Sequence, residues 1–322
     1  MDNKSKIIQA ALLMVAVITI SSWVVARFAG NQLVSPIDTQ YQEPATPLSF
    51  SFIKKELSFL PQVTSPKVLA AASQQAPETS AKSALVMDVA TGGILYEKNA
   101  HERLAAASLV KIMTAAIALE KGFLDNMIVV SQKAASQPSH LMGLSTGEQV
   151  LLKDLLYGLI LVSGNDAALA IAEGLAGSQI RFVSWMNQKT DSLGLKDTKY
   201  VNPSGLDEDG QIQYTTAHDL AVVTRYALSE FQFFSELVGT REYTSAYQEG
   251  RHKAFILYNE TPLLGQVEGV VGVKDGYTPE AGLCLVSLVE KNGKKILVVV
   301  LGAQTRRQDA ENLIEYGFGQ VN

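Results

Sequence analysis

Cysteine is almost absent: Cys284 is the only one in 322 residues. An intrachain disulfide is therefore impossible, and the core must hold itself without covalent staples. Histidine is nearly as scarce. His101, His140, His218 and His252 are far apart, and none stands in a zinc-type pair. No metal and no cofactor is expected. Basic charge is not in excess either. The net charge is −5, which speaks against nucleic acid as a partner, because such partners select basic patches. Internal repeats are also missing.

One long hydrophobic run is present. Residues 7–26 carry no charge and follow Lys4 and Lys6. About 20 apolar residues span a bilayer core as a helix, and a basic flank favours an inside N-terminus. The expectation is a cytoplasmic segment 1–6, a transmembrane anchor 7–26 and an extracytoplasmic remainder. A cleaved signal peptide is the alternative, with Val24-Val25-Ala26 as a small-residue cleavage site. Residues 27–82, rich in Pro, Gln, Ser and Thr, read as a linker. Within it Phe50, Ile53, Leu57 and Leu60 share a helical face, either packed on the domain or lying on the bilayer surface.

From Ser83 to the end, residues 83–322, the texture is that of a folded domain. "SALVMDVATGGILYEKNA" is two apolar runs around a turn, a hairpin signal. "SLVKIMTAAIALEKG" repeats apolar residues at helical spacing and stops at Gly122. Two apolar helices flank Ser163-Gly164-Asn165, and "IRFVSWMNQKTDSLGL" reads as another helix. Thr216 stands three before Asp219 in a capping-type start. Three strand-like runs follow, the last two joined at Asn292-Gly293, and "RRQDAENLIEYGF" closes the chain as a helix. Strands at both ends and helices between them predict one sheet assembled from the two chain ends, with an all-helical middle.

Ser108 stands three before Lys111 at the start of an apolar helix. A serine in this position is often only a cap, and the chain has a second such spacing, Ser51 to Lys54, inside the linker. In a helix, residues i and i+3 share a side, so Lys111 points back at Ser108. A serine hydroxyl needs a base to become a nucleophile. Lysine serves only if its pKa falls well below about 10.4, which burial and a second cation both achieve. Ser163-x-Asn165 sits where two apolar helices break, and Lys274-Asp275-Gly276 sits at the end of a strand run. Lys291-Asn292-Gly293 has the same outline but is explained by the hairpin turn. SxxK, SxN and KxG in this order are the trio of penicillin-binding proteins and class A β-lactamases.

From about Ser83 to Phe318 the chain resembles the serine D-alanyl-D-alanine carboxypeptidases, the low-molecular-weight penicillin-binding proteins. "ASLVKIMTA", "LLYGLILVSGNDAALAIAE", "NPSGLDEDGQIQYTTAHDLAVV" and "GVVGVKDGYTPEAGLCLV" carry the likeness. It implies an α/β (α+β type) fold: a mainly antiparallel sheet flanked by helices, plus an all-helical lobe. It implies that Ser108 attacks a D-alanyl carbonyl, Lys111 takes its proton and Ser163 relays one to the leaving amine. Asn165 is implied to bind the substrate amide, and Lys274 to hold anionic substrate and depress the pKa of Lys111. The N–H groups of Ser108 and Tyr277 are implied to form the oxyanion hole, with Gly276 and Thr278 on the same substrate-binding strand. The implied partners are a peptidoglycan peptide as substrate, β-lactams as inhibitors, and the membrane through the N-terminal helix.

The family usually reads Lys-Thr-Gly where this chain reads Lys274-Asp275-Gly276. A carboxylate there repels a substrate carboxylate and can pair with Lys274, so either Asp275 points away, or it is protonated, or the substrate has no free carboxylate at that place; Thr278 is a candidate for the lost hydroxyl. Asp275 keeps other readings open: a DD-endopeptidase of the same chemistry, or a silent peptidoglycan-binding protein. A β-lactamase needs a further carboxylate base, and Glu173 and Glu208 are poorly placed for it.

Overall fold

The computed structural model describes residues 75–207 and 213–321, all within the compact unit Pro61–Asn322. The run 7–26, the amphipathic stretch 48–60 and Glu208 lie outside the described residues. Among the described residues no helix is long and apolar enough to cross a membrane.

Strands β1 (Ser83–Asp88) and β2 (Ile94–Lys98) form the expected hairpin. At the other end of the domain come β7 (Val270–Thr278), β8 (Gly282–Lys291) and β9 (Lys294–Ala303). All five join one antiparallel sheet in the order β2-β1-β9-β8-β7. Asn292 and Gly293, at φ 52° and 75°, make the tight β8–β9 turn. Both faces of this sheet are covered, and period-two alternation sorts its side chains. Val86, Val298 and Val300 face the C-terminal helix Arg306–Gln320, while Leu85, Leu297 and Val299 join the main core. That is why "ILVVVL" is apolar throughout instead of alternating.

Helix α1 (Val110–Lys121) lies at the centre of the main core, and every residue from Val110 to Ala118 is buried. It packs on α3 (Leu152–Leu161), α4 (Asn165–Ala176), α5 (Gln179–Ser192) and α6 (Ala217–Glu230). Such a helix is apolar all round, so the one-sided period expected from Leu109, Ile112, Ala116 and Leu119 understates its burial. Thr216 caps α6 as its spacing predicts, accepting from the Asp219 amide at 3.0 Å. Six further elements carry no clear sequence signal. They are the pair β3 (Met127–Val129) and β4 (Gln149–Leu151), the short helix α2 (Gln132–Ala135), helix α7 (Gln232–Gly239) and the hairpin β5 (Glu242–Ser245) with β6 (Phe255–Tyr258). The C-terminal helix is α8.

The packing reaches back to Pro77, before the expected linker end at residue 82. Ser80 donates its N–H and hydroxyl to Asp309 of α8 at 2.9 and 2.6 Å, Pro77 and Thr79 accept from Tyr96 and Lys98, and Ala81 is buried.

Candidate active site

Ser108 lies in a 3-10 turn, Ala107–Leu109, that leads directly into α1. Neither this turn nor α1 uses a side chain as its N-cap, so capping does not explain the serine. Ala107 before it is held at φ 47°, an unfavourable region for a residue with a Cβ.

Lys111, one turn on, is completely buried. Its Nζ is 3.0 Å from Ser108 Oγ, 2.9 Å from Asn165 Oδ1 and 2.6 Å from the Ser204 carbonyl. Burial pushes its pKa well down, and the charge of Lys274 pushes it further, against the pull of Asp275 and Asp166. A neutral amine has two N–H bonds and one lone pair. The oxygens of Asn165 and Ser204 can only accept, so they take the two hydrogens. The lone pair is left for the Ser108 hydroxyl, which is the geometry a general base requires.

The loop 202–206 is shaped for this contact. Asn202 Oδ1 accepts from Ser204 N, Ser204 Oγ and Gly205 N at 3.2, 3.2 and 2.8 Å, and Thr114 Oγ1 donates to the Pro203 carbonyl at 2.7 Å. Gly205 sits at φ +87°, and a Cβ on it would lie 1.9 Å from the Ala107 carbonyl oxygen. Only glycine lets this loop pass the nucleophile turn.

Ser163 falls in the break between α3 and α4. It is buried at φ 57°, and its Oγ has no hydrogen-bond partner among the described residues. Asn165 begins α4 and joins two parts of the site. Its Oδ1 accepts from Lys111, and its Nδ2 donates to the Pro138 and Ser139 carbonyls at 3.0 and 2.9 Å. The amide nitrogen is therefore already engaged by protein. Asp166 anchors the same loop, accepting from the amides of Met142, Gly143 and Leu144 at 2.9, 2.8 and 2.9 Å.

Strand β7 is the sheet edge that faces the Ser108 turn. A Cβ on Gly276 would be 2.9 Å from Ser108 N, so the strand backbone runs against the nucleophile. Tyr277 is 61% exposed. Thr278 Oγ1 accepts from Ala281 N at 3.1 Å at the β7–β8 turn, which leaves its O–H free to donate. Lys274 is buried, and its Nζ donates to Asp275 Oδ1 at 3.0 Å. Asp275 Oδ2 accepts from Arg306 Nη2 at 3.0 Å. Burial raises the Asp275 pKa, but Lys274 and Arg306 outweigh it and hold the carboxyl below the ordinary range. Of the expected possibilities, pairing with Lys274 is present, and the two cations favour the ionised carboxylate. Arg306 was not anticipated from sequence. A groove of about 740 Å³ opens beside Leu104–Ala107, bounded opposite by Gly205, Tyr214 and Glu280, a size suited to a small peptide.

A sheet and a helical lobe that converge on a serine with a buried lysine beside it define the serine–lysine acyl-transfer class, with the fold of penicillin-binding proteins and β-lactamases. Comparison with known proteins narrows this. The chain belongs to the peptidase S11 family, D-alanyl-D-alanine carboxypeptidase, which matches residues 70–305. It is 38% identical over 248 residues to the D-alanyl-D-alanine carboxypeptidase DacF of Bacillus subtilis, covering 74% of this chain and 62% of that one. It is 34% identical over 258 residues to DacC of Escherichia coli, covering 76% and 62%. The chain thus spans just under two thirds of the length of these relatives. Among solved structures, the carboxypeptidase DacD of Francisella tularensis matches at TM-score 0.69 and 29% identity, covering 76% and 71%. Penicillin-binding protein D2 of Listeria monocytogenes, solved in its cefotaxime-bound form, matches at TM-score 0.67 and 30% identity, covering 76% and 100%.

Proposed function

We propose that this protein is a serine DD-carboxypeptidase that acts on peptidoglycan stem peptides through an acyl-serine intermediate. The observation that carries the reading is the arrangement at Lys111, where two obligate acceptors take the amine hydrogens and direct its lone pair to Ser108. Ser108 Oγ attacks the carbonyl of the penultimate D-alanine as its proton passes to Lys111 Nζ. The N–H groups of Ser108 and Tyr277 stabilise the oxyanion. The carbon–nitrogen bond then breaks, and the leaving amine takes a proton by way of the unpartnered Ser163 hydroxyl. Water hydrolyses the acyl-serine, with Lys111 again taking the proton, and Ser108 is regenerated. β-Lactams acylate the same oxygen. A β-lactamase reading is disfavoured because Glu173 lies inside α4, about 12 Å along the helix axis from Asn165, and accepts from Ser131 at 2.5 Å.

The test is intact mass after incubation with a fluorescent penicillin. One adduct is expected, mapping to Ser108 and absent in Ser108→Ala. Labelling that persists in Ser108→Ala removes the assignment. We further propose that residues 7–26 hold the protein in the membrane, with the catalytic domain extracytoplasmic. The uncharged run after Lys4 and Lys6 supports this. N-terminal sequencing of the mature protein should find an intact start, and a start near Arg27 makes the run a cleaved signal.

A further inference from the structure

Three charged side chains close on one another beside the nucleophile. Asp275 gives one carboxylate oxygen to Lys274 and the other to Arg306, each at 3.0 Å. Arg306 Nη1 donates to the Gly276 and Cys284 carbonyls at 3.2 and 3.3 Å, which fixes the guanidinium against β7 and β8. Lys274 is 1% exposed, and among the described residues Asp275 is its one hydrogen-bond partner. The next residue, Gly276, is the one whose backbone meets Ser108 N.

The consequence depends on where a donor peptide's end must lie. With the scissile carbonyl at the Ser108 and Tyr277 amides, the residue beyond the scissile bond is about one residue length, ~3.5 Å, further on. A free carboxylate on that residue seeks the cations that line this part of the site. Lys111 is neutral when it acts as base, and Arg103 at the groove is paired with Asp197 at 2.8 Å, which leaves Lys274 and Arg306. Both are already paired with Asp275. An incoming carboxylate must displace Asp275 or sit beside it as a like charge. A donor whose corresponding group is an amide meets neither obstacle. Placing a like charge against the competing substrate is a recognised way to build selectivity.

We propose that Asp275 is a built-in carboxylate occupying the anion seat of the site, and that it selects acyl donors with no free carboxylate beyond the scissile bond. The preferred substrate class is then an amide-extended D-alanyl peptide, as in a peptide cross-link, with the D-alanyl-D-alanine free end as the poorer substrate. This rests on the acyl-serine reading above and ranks its substrates: the free D-alanyl-D-alanine end is cleaved, but more slowly than an amide-extended D-alanyl peptide.

The test uses the full chain and two matched donors, an N-acylated Lys-D-Ala-D-Ala peptide with a free C-terminus and the same peptide as its C-terminal carboxamide. Release of D-alanine or D-alaninamide gives kcat/KM for each. The wild type is expected to favour the carboxamide at least tenfold. Asp275→Thr should raise kcat/KM on the free acid at least tenfold and on the carboxamide less than threefold. Asp275→Asn keeps the size, removes the charge and one of the two acceptors, and should shift the ratio in the same direction if the threonine variant does not fold. A wild type that favours the free acid overturns the proposal. So does a ratio unchanged in a folded variant. Penicillin acylation of Ser108 in the same preparation separates the two levels. Acylation with the wrong ratio removes the role of Asp275 alone, whereas no acylation and no turnover removes the acyl-serine reading and this inference together.

Discussion

Lys111 is the residue on which the proposed chemistry turns, and its titration gives a directional test. The base must be neutral. Burial and Lys274 draw its pKa down, so the active form exists above that lowered value and is lost below it. Acylation by penicillin should fall about tenfold per pH unit on the acid side. Lys274→Gln removes the neighbouring cation and should move that acid limb to higher pH, as a stopped-flow acylation profile can record. An acid limb that stays in place means that Lys274 does not act on Lys111. The same shift has a stability counterpart. The native state holds fewer protons than the unfolded chain between the folded pKa of Lys111 and the ordinary lysine value of about 10.4, so this group's contribution rises with pH across that window. Ser108, Lys111, Asn165 and Lys274 could be read from the sequence because their signals are local: a three-residue spacing, a polar break between apolar helices, a strand end. Arg306 could not, because it reaches Asp275 from 31 positions away. Ser204 acts through a backbone carbonyl, which no side-chain motif announces.

At the scale of elements, the site depends on loops held from one side by single residues. Asp166, 1% exposed, satisfies three loop amides, and Asp166→Ala leaves the two buried ones, on Met142 and Leu144, without acceptors. At about 1–3 kcal/mol per orphaned group, urea denaturation should show a loss of about 2 kcal/mol or more. Gly205→Ala should act on rate. A Cβ so close to the Ala107 oxygen displaces the nucleophile turn, and a misplacement of about 1 Å costs about 100-fold, read as the penicillin acylation rate. Long elements with a consistent period, α1 and α6 and β7–β9, were legible. The region from 231 to 260 was not, for a definite reason. Phe231 is both the C-cap of α6 and the N-cap of α7, so two helices abut with no glycine or proline to mark the stop. β5 and β6 are four residues each, too short for a period to stand out.

For the whole molecule, the sheet closes the two chain ends on each other, and the segment before β1 is part of that closure. A chain beginning at residue 75 keeps the Ser80–Asp309 pairing, and one beginning at Ser83 loses it. Asp309 is 3% exposed, so its orphaned carboxylate should cost about 2 kcal/mol and lower Tm by roughly 4–8 °C. Equal melting of the two chains would show that the tether contributes nothing. The general architecture was legible because apolar runs of strand length cluster at both ends of the domain. The depth to which it extends toward the linker was not, because Ser80 is held by side-chain hydrogen bonds and its surroundings have a linker's composition.

The strand order β2-β1-β9-β8-β7 also sets when the protein can react during its synthesis. Ser108 and Lys111 are made early, Lys274 late, and β7 cannot pair until β8 follows it, nor can that pair join β1 until β9 is complete. Until then Lys111 lacks both the neighbouring cation and the strand that closes over it. The share of its pKa depression that Lys274 supplies therefore arrives last. On the proposed chemistry, the nucleophile is complete only when the final strands are in place.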